Sequence, residues 1–460
     1  MTAASRKTAG ETLGEYLAGF PALQLDRDIR EKALICLLDT LGLSLSARTE
    51  PTARAAVALA ECVERGGARA WISGAPLSAA DAAFANGVAA HAHFQDDTDH
   101  DSWTHPGSLV PPAVVALGER EGASLADVLA AMVAGYSTIN WLGREEIVAR
   151  RLIGRGFRTS PTFGTIAAAA GGAALLGLDA RRAASAVSIA ASMTGGTLEP
   201  VRAGSDEWRV QNGRAAQGGL IAAYLAGQGV AGAPQALDGP KGFLATVAGM
   251  DETPAVWATP PDPAAMRTIM AKPYATLGDN MPAAMAAQKL HGEGVDPGAI
   301  EAIEVTLWEP YTNYPGTNFK GPYERPVQTQ ASTAFAVAAM LSQGDITYDM
   351  GVTMREDPTI LGLVAKTTVV PDAVGGALDS RVTLRMKGGG RREAHSSQMP
   401  RELIFQNPAR ALRVFEARMA RLGALAGAGR DLGERLFDSL DEAQSPPIAE
   451  VVGRIVALAP

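Results

Sequence analysis

Cysteine and positive charge are both scarce in this chain. Only two cysteines, Cys36 and Cys62, occur among 460 residues. They offer neither a disulfide framework nor a CxxC motif, and they fit a reducing compartment. Cys36 lies in an apolar helical run and is expected to be a buried, inert thiol. The net charge of −8 argues against a nucleic-acid-binding protein, which would present a basic face. It permits an acidic substrate, because an arginine pocket acts at contact distance.

Long apolar runs are also missing. The N-terminal segment lacks the continuous apolar core of a signal peptide. No run approaches the roughly 18 uninterrupted apolar residues of a membrane span. We therefore expect a cytoplasmic protein with no membrane partner. With 20% charged and 47% hydrophobic residues, the chain should fold well, and its length suggests two or three domains.

Helical periodicity dominates the first half of the chain. Asp28 and Glu31 have the spacing of a capping box, and apolar residues then recur at helical spacing through about Leu45. No segment in this half alternates convincingly like a strand, so residues 1–265 are predicted to form a large all-helical domain. Its further helices are predicted at 79–90, 109–119, 125–142, 164–176, 180–193 and 214–228.

Strand patterns begin after the Pro-rich segment 258–265. Residues 302–307 alternate as a half-buried strand, and 380–397 has the pattern of a hairpin with glycines in its turn. A helix is predicted between them at 326–342. Residues 266–400 are thus expected to form a smaller α+β domain inserted into the helical one, to which residues 401–460 return. The predicted fold class is mostly α with an α+β second domain.

Four of the six histidines lie in HAHFQDDTDHDSWTHPG, residues 91–107, with four aspartates. Three explanations are open. His91 and His93 with nearby carboxylates could bind zinc or iron, or the segment is a solvated loop. In the third, a histidine oriented by a carboxylate moves protons without a metal. Asp97, Thr98 and His105 would together supply the base, the group that orients it and a hydroxyl. The Pro-Gly turn favours the third, because it fixes the direction of the His105 ring.

The order of short motifs along the chain resembles the MmgE/PrpD family, and the resemblance spans most of the sequence. It implies a helical domain built from both chain ends, an inserted α+β lid domain and a homodimer. It also implies a site between the domains, without metal or cofactor, for small di- or tricarboxylates. The matching motifs are LLDTLG (37–42), NG (86–87), His91, DDT (96–98), HPG (105–107), RGFRTSPTFGTIAAAAGGAALLGLD (155–179), NGRAAQGGLIAAYLA (212–226), LDGPKGF (237–243), AKPYATLGDN (271–280) and QTQASTAFAVAAML (328–341).

Several positions depart from the family pattern. Phe94 stands where family members usually have an aspartate, Arg158 where they often have a histidine, and Trp208 where they have a lysine. After the KPY segment, residues 275–280 lack the usual cysteine, arginine or histidine. Arginine holds a carboxylate bidentately, so Arg158 and the neighbouring Arg209 are possible substrate clamps. The alternative for each is a surface arginine or a structural ion pair.

The resemblance and the residue types together suggest roles for the site residues. His105 is expected to be the acid or base and Asp97 the group that orients it. Lys272 is expected to carry the opposing proton or stabilise an enolate, and Thr98 to position a substrate oxygen. Further candidate substrate contacts are Asp96, His91, Tyr314 and Tyr323, with ordinary loop packing as the alternative for both tyrosines.

Three classes of function remain open from the sequence. The family includes 2-methylcitrate dehydratase, cis-aconitate decarboxylase and iminodisuccinate epimerase. A lyase that dehydrates or decarboxylates a small polycarboxylate is the first class. An isomerase, which needs two opposed proton carriers, is the second. A non-catalytic polycarboxylate binder is the third, because Phe94 removes an acid from the site.

Overall fold

The structure is a computed structural model that describes residues 7–20, 25–61, 66–396, 407–441 and 445–459. The fold class is the one predicted, a mostly helical protein with a smaller α+β part. The predicted domain boundary near residue 400 and Cys62 both lie outside the described residues.

Helices form the body of the protein over roughly its first half. The predicted helices at 79–90, 125–142 and 180–193 agree with the observed ones to within a residue at each end. In chain order, the helices are α1 (Ala9–Ala18), α2 (Arg27–Ser46), α3 (Pro51–Glu61), α4 (Ala79–His91), α5 (Val110–Glu121), α6 (Leu125–Gly143), α7 (Ile147–Gly154), α8 (Thr159–Leu175), α9 (Ala180–Met193), α10 (Glu199–Ala203) and α11 (Glu207–Gly227).

Two local predictions for this half are wrong. A short antiparallel pair of strands, β1 (Ala68–Arg69) and β2 (Pro76–Leu77), interrupts the helices, and two residues a strand are too few to produce a readable alternation. The capping box predicted at Asp28 is also absent. The N-cap of α2 is Asp26, and the Asp28 carboxylate instead accepts hydrogen bonds from Arg267.

Small residues allow the central helices to approach closely. α11 packs against α4 and α8, and a Cβ at Gly213 of α11 would lie 2.5 Å from the Phe84 carbonyl oxygen and from a Val88 methyl carbon. Any larger residue there would push the helices apart. The contact holds the end of α4, where the histidine-rich loop begins, beside the start of α11.

The α+β part contains one four-stranded sheet. β3 (Ile300–Trp308) pairs in parallel with β4 (Thr367–Asp372) and antiparallel with β5 (Ser380–Met386), which pairs with β6 (Arg391–Ser396). β4 is an edge strand that the sequence analysis did not predict. The accompanying helices are α12 (Met281–Gly292), α13 (Glu309–Thr312), α14 (Pro326–Ala331), α15 (Thr333–Gln343), α16 (Tyr348–Thr353) and α17 (Pro358–Lys366).

The helix predicted at 326–342 is two helices. Ser332 has extended backbone angles and caps the second one, since its side chain accepts a hydrogen bond from the Phe335 N–H. Serine competes for backbone donors in this way and favours helix starts over helix interiors. The break turns the chain at the point where Gln330 reaches the histidine-rich loop.

The C-terminal helices return to the helical body. α18 (Pro408–Arg421), α19 (Ala428–Asp438) and α20 (Ile448–Ala457) bury Phe415, Leu436 and Ile455 in the same core as α2 and α6. Cys36 of α2 is buried in this core, and its burial raises the pKa of the thiol. This agrees with the expected inert cysteine.

One helical segment of the described chain, Leu125–Gly154, is long and apolar enough to cross a membrane by length and composition. Its most apolar window is 89% buried inside the protein. Burial of this kind is what the central helix of a soluble protein requires.

Candidate active site

The loop that follows α4 carries most of the titratable groups of the site. Phe94 and Trp103 both have a φ of 55°, a left-handed conformation that is uncommon outside glycine. Asp99 and Thr104 exchange backbone hydrogen bonds of 3.0 and 3.1 Å. The loop therefore folds back on itself, and the ring of His105 returns to within 5.3 Å of the His91 ring, measured between centroids.

Segments from the α+β part meet this loop. Thr98 pairs with Met270 through two backbone hydrogen bonds of 2.8 and 2.9 Å, which brings Lys272 to the loop. The Gln330 side-chain amide donates to the backbone carbonyl of His93 at 2.8 Å. The candidate residues of the loop and Lys272 thus lie where the helical body meets the α+β part.

His91 is buried between the side chains of Asp96 and Arg158. Its Nδ1 lies 2.8 Å from Asp96 Oδ2 and its Nε2 lies 2.9 Å from Arg158 Nη2. A guanidinium can only donate, so Nε2 accepts a hydrogen bond and Nδ1–H donates one to the carboxylate. Burial and the charge of Arg158 hold the pKa of His91 well below its usual value. His91 is therefore a neutral bridge between Arg158 and Asp96, and a residue that orients its neighbours.

Arg158 has only neutral hydrogen-bond partners in the part of the chain that the structure describes. It donates to the Trp208 carbonyl at 2.7 Å, to Gln211 Oε1 at 2.9 Å and to His91. Burial lowers the pKa of Arg158, and the neighbouring Tyr314 hydroxyl opposes that shift. A buried cation without a directly bound carboxylate is suited to receive an anionic ligand.

The His105 imidazole presents an unprotonated nitrogen. Its Nδ1 lies 3.2 Å from the backbone oxygen of Asp97 and 3.2 Å from Thr98 Oγ1. A carbonyl can only accept, so Nδ1 carries the proton, and no described residue bonds to Nε2. Burial, followed by the charge of Lys272, holds the pKa of His105 well below its usual value. The ring is neutral at physiological pH and has the free acceptor that a general base needs.

Asp97 was expected to orient His105, but its carboxylate binds other groups of the protein. Its carboxylate accepts hydrogen bonds from the Gly107 N–H at 2.5 Å and the Tyr136 hydroxyl at 2.8 Å, and makes no hydrogen bond to the His105 ring. Only the backbone carbonyl of Asp97 is hydrogen-bonded to the imidazole. Burial raises the pKa of Asp97 to about 7, against the lowering effect of the Tyr136 hydrogen bond.

The raised pKa of Asp97 gives a prediction for stability against pH. The folded state holds the Asp97 proton up to about pH 7, whereas an unfolded aspartate loses it near pH 4, so wild-type stability falls over this interval. The asparagine side chain of Asp97→Asn does not titrate in this range, and it can still form hydrogen bonds with Gly107 and Tyr136. We expect the unfolding free energy of the variant, relative to that of wild type, to increase by about a few kcal/mol at most from pH 5 to pH 8. Urea denaturation at each pH measures this difference. A difference in unfolding free energy that does not change with pH would contradict the raised pKa of Asp97.

Lys272 is fully buried at the same site. Its Nζ donates to the Phe94 carbonyl at 2.6 Å and to the Thr276 carbonyl at 3.3 Å. Burial lowers the pKa of Lys272 to about 8, and the carboxyl groups of Asp96 and Asp279 oppose the shift. The amine is therefore mostly an ammonium at neutral pH and is close enough to its pKa to exchange a proton.

The Phe94 ring joins the two expected proton carriers. Its centroid lies 4.4 Å from Lys272 Nζ and 5.3 Å from the centroid of the His105 ring. It also contacts His91 at 5.4 Å and Trp208 at 4.9 Å. His105 and Lys272 thus both contact the Phe94 ring.

Arg209 is used structurally, so its expected role as a substrate clamp is corrected. It is buried, and it bonds to Asp206 Oδ1 at 2.7 Å and to the Ala92 carbonyl at 2.9 Å. A second carboxylate, that of Glu50, lies 3.9 Å away. The structural ion pair left open by the sequence is the arrangement observed.

The two candidate tyrosines have different locations. The Tyr314 hydroxyl lies close enough to the Arg158 guanidinium for each group to shift the other's pKa, and burial raises the pKa of Tyr314 to about 12. Tyr323 is in the core of the α+β part, where its hydroxyl lies 3.2 Å from the Phe319 carbonyl and 2.9 Å from Ser332 Oγ. Tyr314 stays a candidate substrate contact, whereas the expectation for Tyr323 is replaced by ordinary loop packing.

The histidines of the HxH pair do not converge. His91 is bonded as described, and His93 stacks on Tyr348 with centroids 4.3 Å apart. Burial lowers the pKa of His93 to about 3. Among the residues that the structure describes, no group of three His, Cys, Asp or Glu side chains could hold a metal ion.

Several residues of the site were missed by the sequence analysis. Asp279 is half-buried near Lys272, and burial raises its pKa to about 7 while the lysine charge opposes the shift. Ser160 Oγ accepts the His105 backbone N–H at 3.1 Å, and Tyr136 binds Asp97. Tyr136 carried a signal, because it is a polar group inside the apolar helix α6. Ser160 carried none.

Comparison with known proteins adds to this geometry. A sequence model of the MmgE/PrpD N-terminal domain matches residues 11–255. A cis-aconitate decarboxylase-like protein from Aspergillus oryzae is 28% identical over 348 residues, which cover 67% of this chain and 69% of that protein. Human cis-aconitate decarboxylase is 30% identical over 244 residues, covering 52% of this chain and 50% of the human one. The mouse cis-aconitate decarboxylase is 34% identical over 166 residues, 35% of this chain and 33% of the mouse protein.

The domain match covers more than half of the chain. This chain belongs to the MmgE/PrpD family.

Proposed function

We propose that this protein is a lyase that works next to a carboxylate of a small di- or tricarboxylic acid, by decarboxylation or dehydration, with acid/base groups and no metal. The relatives named cis-aconitate decarboxylase support the reaction class. The observation that carries the proposal is the pair His105 and Lys272. One has an unprotonated nitrogen that accepts no hydrogen bond from the described residues, the other is a buried ammonium, and both lie against the Phe94 ring.

For a dehydration, the His105 Nε2 takes the proton from the carbon beside a carboxylate. The carbon–oxygen bond then breaks, and hydroxide leaves as water with a proton from the Lys272 ammonium. For a decarboxylation, the carbon–carbon bond to the departing carboxylate breaks and its electron pair stays on the carbon. The ammonium stabilises that charge and then donates its proton to the carbon.

Other residues hold the acid in place. Arg158 and Tyr314 would bind one carboxylate of the substrate, since Arg158 is buried, Tyr314 is half-buried, and the guanidinium lacks an anionic partner among the described residues. The Thr98 hydroxyl accepts from His105 Nδ1–H and so has its own proton free for a substrate oxygen. Acid/base groups alone contribute about 10²–10⁴-fold, so the two fixed cations are needed to stabilise the developing negative charge.

An isomerase is the second candidate, and the two-group arrangement favours it specifically. An epimerisation needs one group to remove a proton and another to return it. The neutral His105 and the Lys272 amine, with a pKa of about 8, could serve in these roles. The substrate would leave with the same composition and the opposite configuration at one carbon.

Solvent deuterium exchange separates the classes. The protein is incubated in D₂O with a panel of di- and tricarboxylates, and products are followed by NMR. Loss of CO₂ or formation of a double bond supports the lyase. Exchange without a new product supports the isomerase. If no acid exchanges or reacts, the proposal is wrong and the carboxylate-binder alternative is favoured.

The metal-free character is tested separately. Dialysis against a strong chelator should leave the turnover found in the panel unchanged. A loss that zinc or iron restores would contradict this part of the proposal.

A further inference from the structure

A small apolar cluster lies against the acid/base groups, apart from the two large cores. We call it the apolar wall. Its Trp208 ring lies 4.7 Å from the His91 ring, and its Phe94 ring contacts His105. The wall consists of Phe94, Val201, Trp208, Leu277, Val327 and Ala331, with Tyr314 packed on it.

Few cations at the site are free to bind ligand carboxylates. Arg158 and Lys272 are buried and bonded to neutral acceptors in the described part of the chain. Arg209, the third buried cation near the wall, is engaged by Asp206. Arg158 and Lys272 are therefore the two buried cations near the wall that have no hydrogen-bonded carboxylate among the described residues.

The site already contains carboxyl groups of its own. Asp96 Oδ2 accepts from His91, whereas its Oδ1 is buried with no partner among the described residues. Asp279 lies close enough to Lys272 for its charge to act on the amine. A ligand with three carboxylates would bring more negative charge than these two cations can compensate, and burying uncompensated charge is costly. A ligand with fewer carboxylates and an uncharged arm fits the charges present.

Two further observations at the wall point to a ligand. Trp208 Nε1 and Gln330 Oε1 are buried without partners among the described residues; the two residues are 0% and 2% exposed. Trp71 and Trp257 of the large helical core also have an Nε1 that is unpartnered in the described chain, so Trp208 is distinguished by its contact with the His91 ring. At that position its N–H can donate to a polar atom of a bound molecule. The left-handed backbone of Phe94 is the kind of local strain that accumulates at ligand clamps.

From these observations, and resting on the proposed function, we infer that the substrate is a carboxylic acid with an apolar arm. One or two carboxylates bind Arg158 and Lys272, and the arm packs on the apolar wall. Phe94, Trp208 and Leu277 then determine specificity by favouring an alkyl or aryl group where a tricarboxylate would place its third carboxylate.

Two matched probes test the inference. Benzylsuccinate and tricarballylate share a succinate body and a methylene arm, which ends in a phenyl ring in the first and a carboxylate in the second. Isothermal titration calorimetry on the full chain at pH 7, with succinate as reference, should give a Kd for benzylsuccinate about 10- to 100-fold below that of tricarballylate, from burial of the ring.

The possible results separate the two proposals. Tricarballylate binding as tightly as benzylsuccinate, or more tightly, would overturn the apolar-arm inference and leave the proposed function standing. If none of the three acids binds and the D₂O panel is silent, the proposed function fails and the inference fails with it.

Variants at Leu277 locate the arm on the wall. Leu277→Ala should weaken benzylsuccinate binding about fivefold or more relative to succinate binding. Leu277→Met, which conserves volume, should restore it. Thermal unfolding of both variants confirms that they are folded. An equal loss for benzylsuccinate and succinate in Leu277→Ala would place the arm elsewhere and contradict the inference.

Discussion

Replacing His105 by glutamine is expected to reduce kcat by about 10²–10⁴-fold, on an acid that the D₂O panel shows to be dehydrated or epimerised. Glutamine can still donate to the Asp97 carbonyl, but it has no basic nitrogen to take a proton. KM should change little, because the imidazole acts on the reacting carbon and not on the carboxylates. Steady-state kinetics at pH 7 measure both constants.

The matched control is His395→Gln. His395 is an exposed residue of β6, so the same chemical change there should leave kcat unchanged. If His105→Gln keeps more than about a third of wild-type kcat, a loss far below the range for a lost acid/base group, the role of His105 in proton transfer is wrong.

Lys272→Met is expected to lower kcat by a comparable factor, about 10²-fold or more, with a small change in stability. Methionine removes the ammonium that stabilises negative charge and donates the proton. Methionine also removes a buried charge, which should stabilise the folded state. It leaves the Phe94 and Thr276 carbonyls without a hydrogen-bond donor, which should destabilise it. We expect these effects to offset within about 2 kcal/mol of unfolding free energy.

The pH profile gives the sign of the Lys272 contribution. The reaction as proposed needs the ammonium, so wild-type kcat should fall as pH rises through about 8, the pKa of Lys272. Lys272→Arg keeps a positive charge but cannot donate the proton, so only a residual rate is expected, and that rate should lack the alkaline limb. Lys289 is exposed, so the control variant Lys289→Met should keep the wild-type pH profile. A wild-type rate that rises through pH 8 would show that the neutral amine is the active form.

Much of the fold could be predicted because local patterns determine it. The helix Ala180–Met193 has unbroken helical spacing, and the strand Ile300–Trp308 has clean alternation around residues 302–307. The break at Ser332 was missed because the apolar pattern continues across it, and only the tertiary contact of Gln330 with His93 shows why the chain turns there. The edge strand β4 has a partner 64 residues away in register, Ile303 with Thr367, and no local signal specifies that pairing.

The site was predicted less completely than the fold, for a similar reason. Residue type and family order pointed to His105 and Lys272, and the loop does bring them together. The same reasoning could not separate Arg158 from Arg209, because only the fold places Asp206 and Glu50 beside one of them. It could not separate Tyr314 from Tyr323 either, since both occur in the same aromatic segment and only one reaches Arg158.

A double-mutant cycle of His105→Gln and Lys272→Met tests most directly whether these residues act together on one bound acid. Groups that serve the same step are strongly non-additive. We therefore predict that the double variant has a kcat close to that of the slower single variant. A double variant whose loss equals the product of the two single losses would mean that the residues act independently, and would contradict a shared acid/base site.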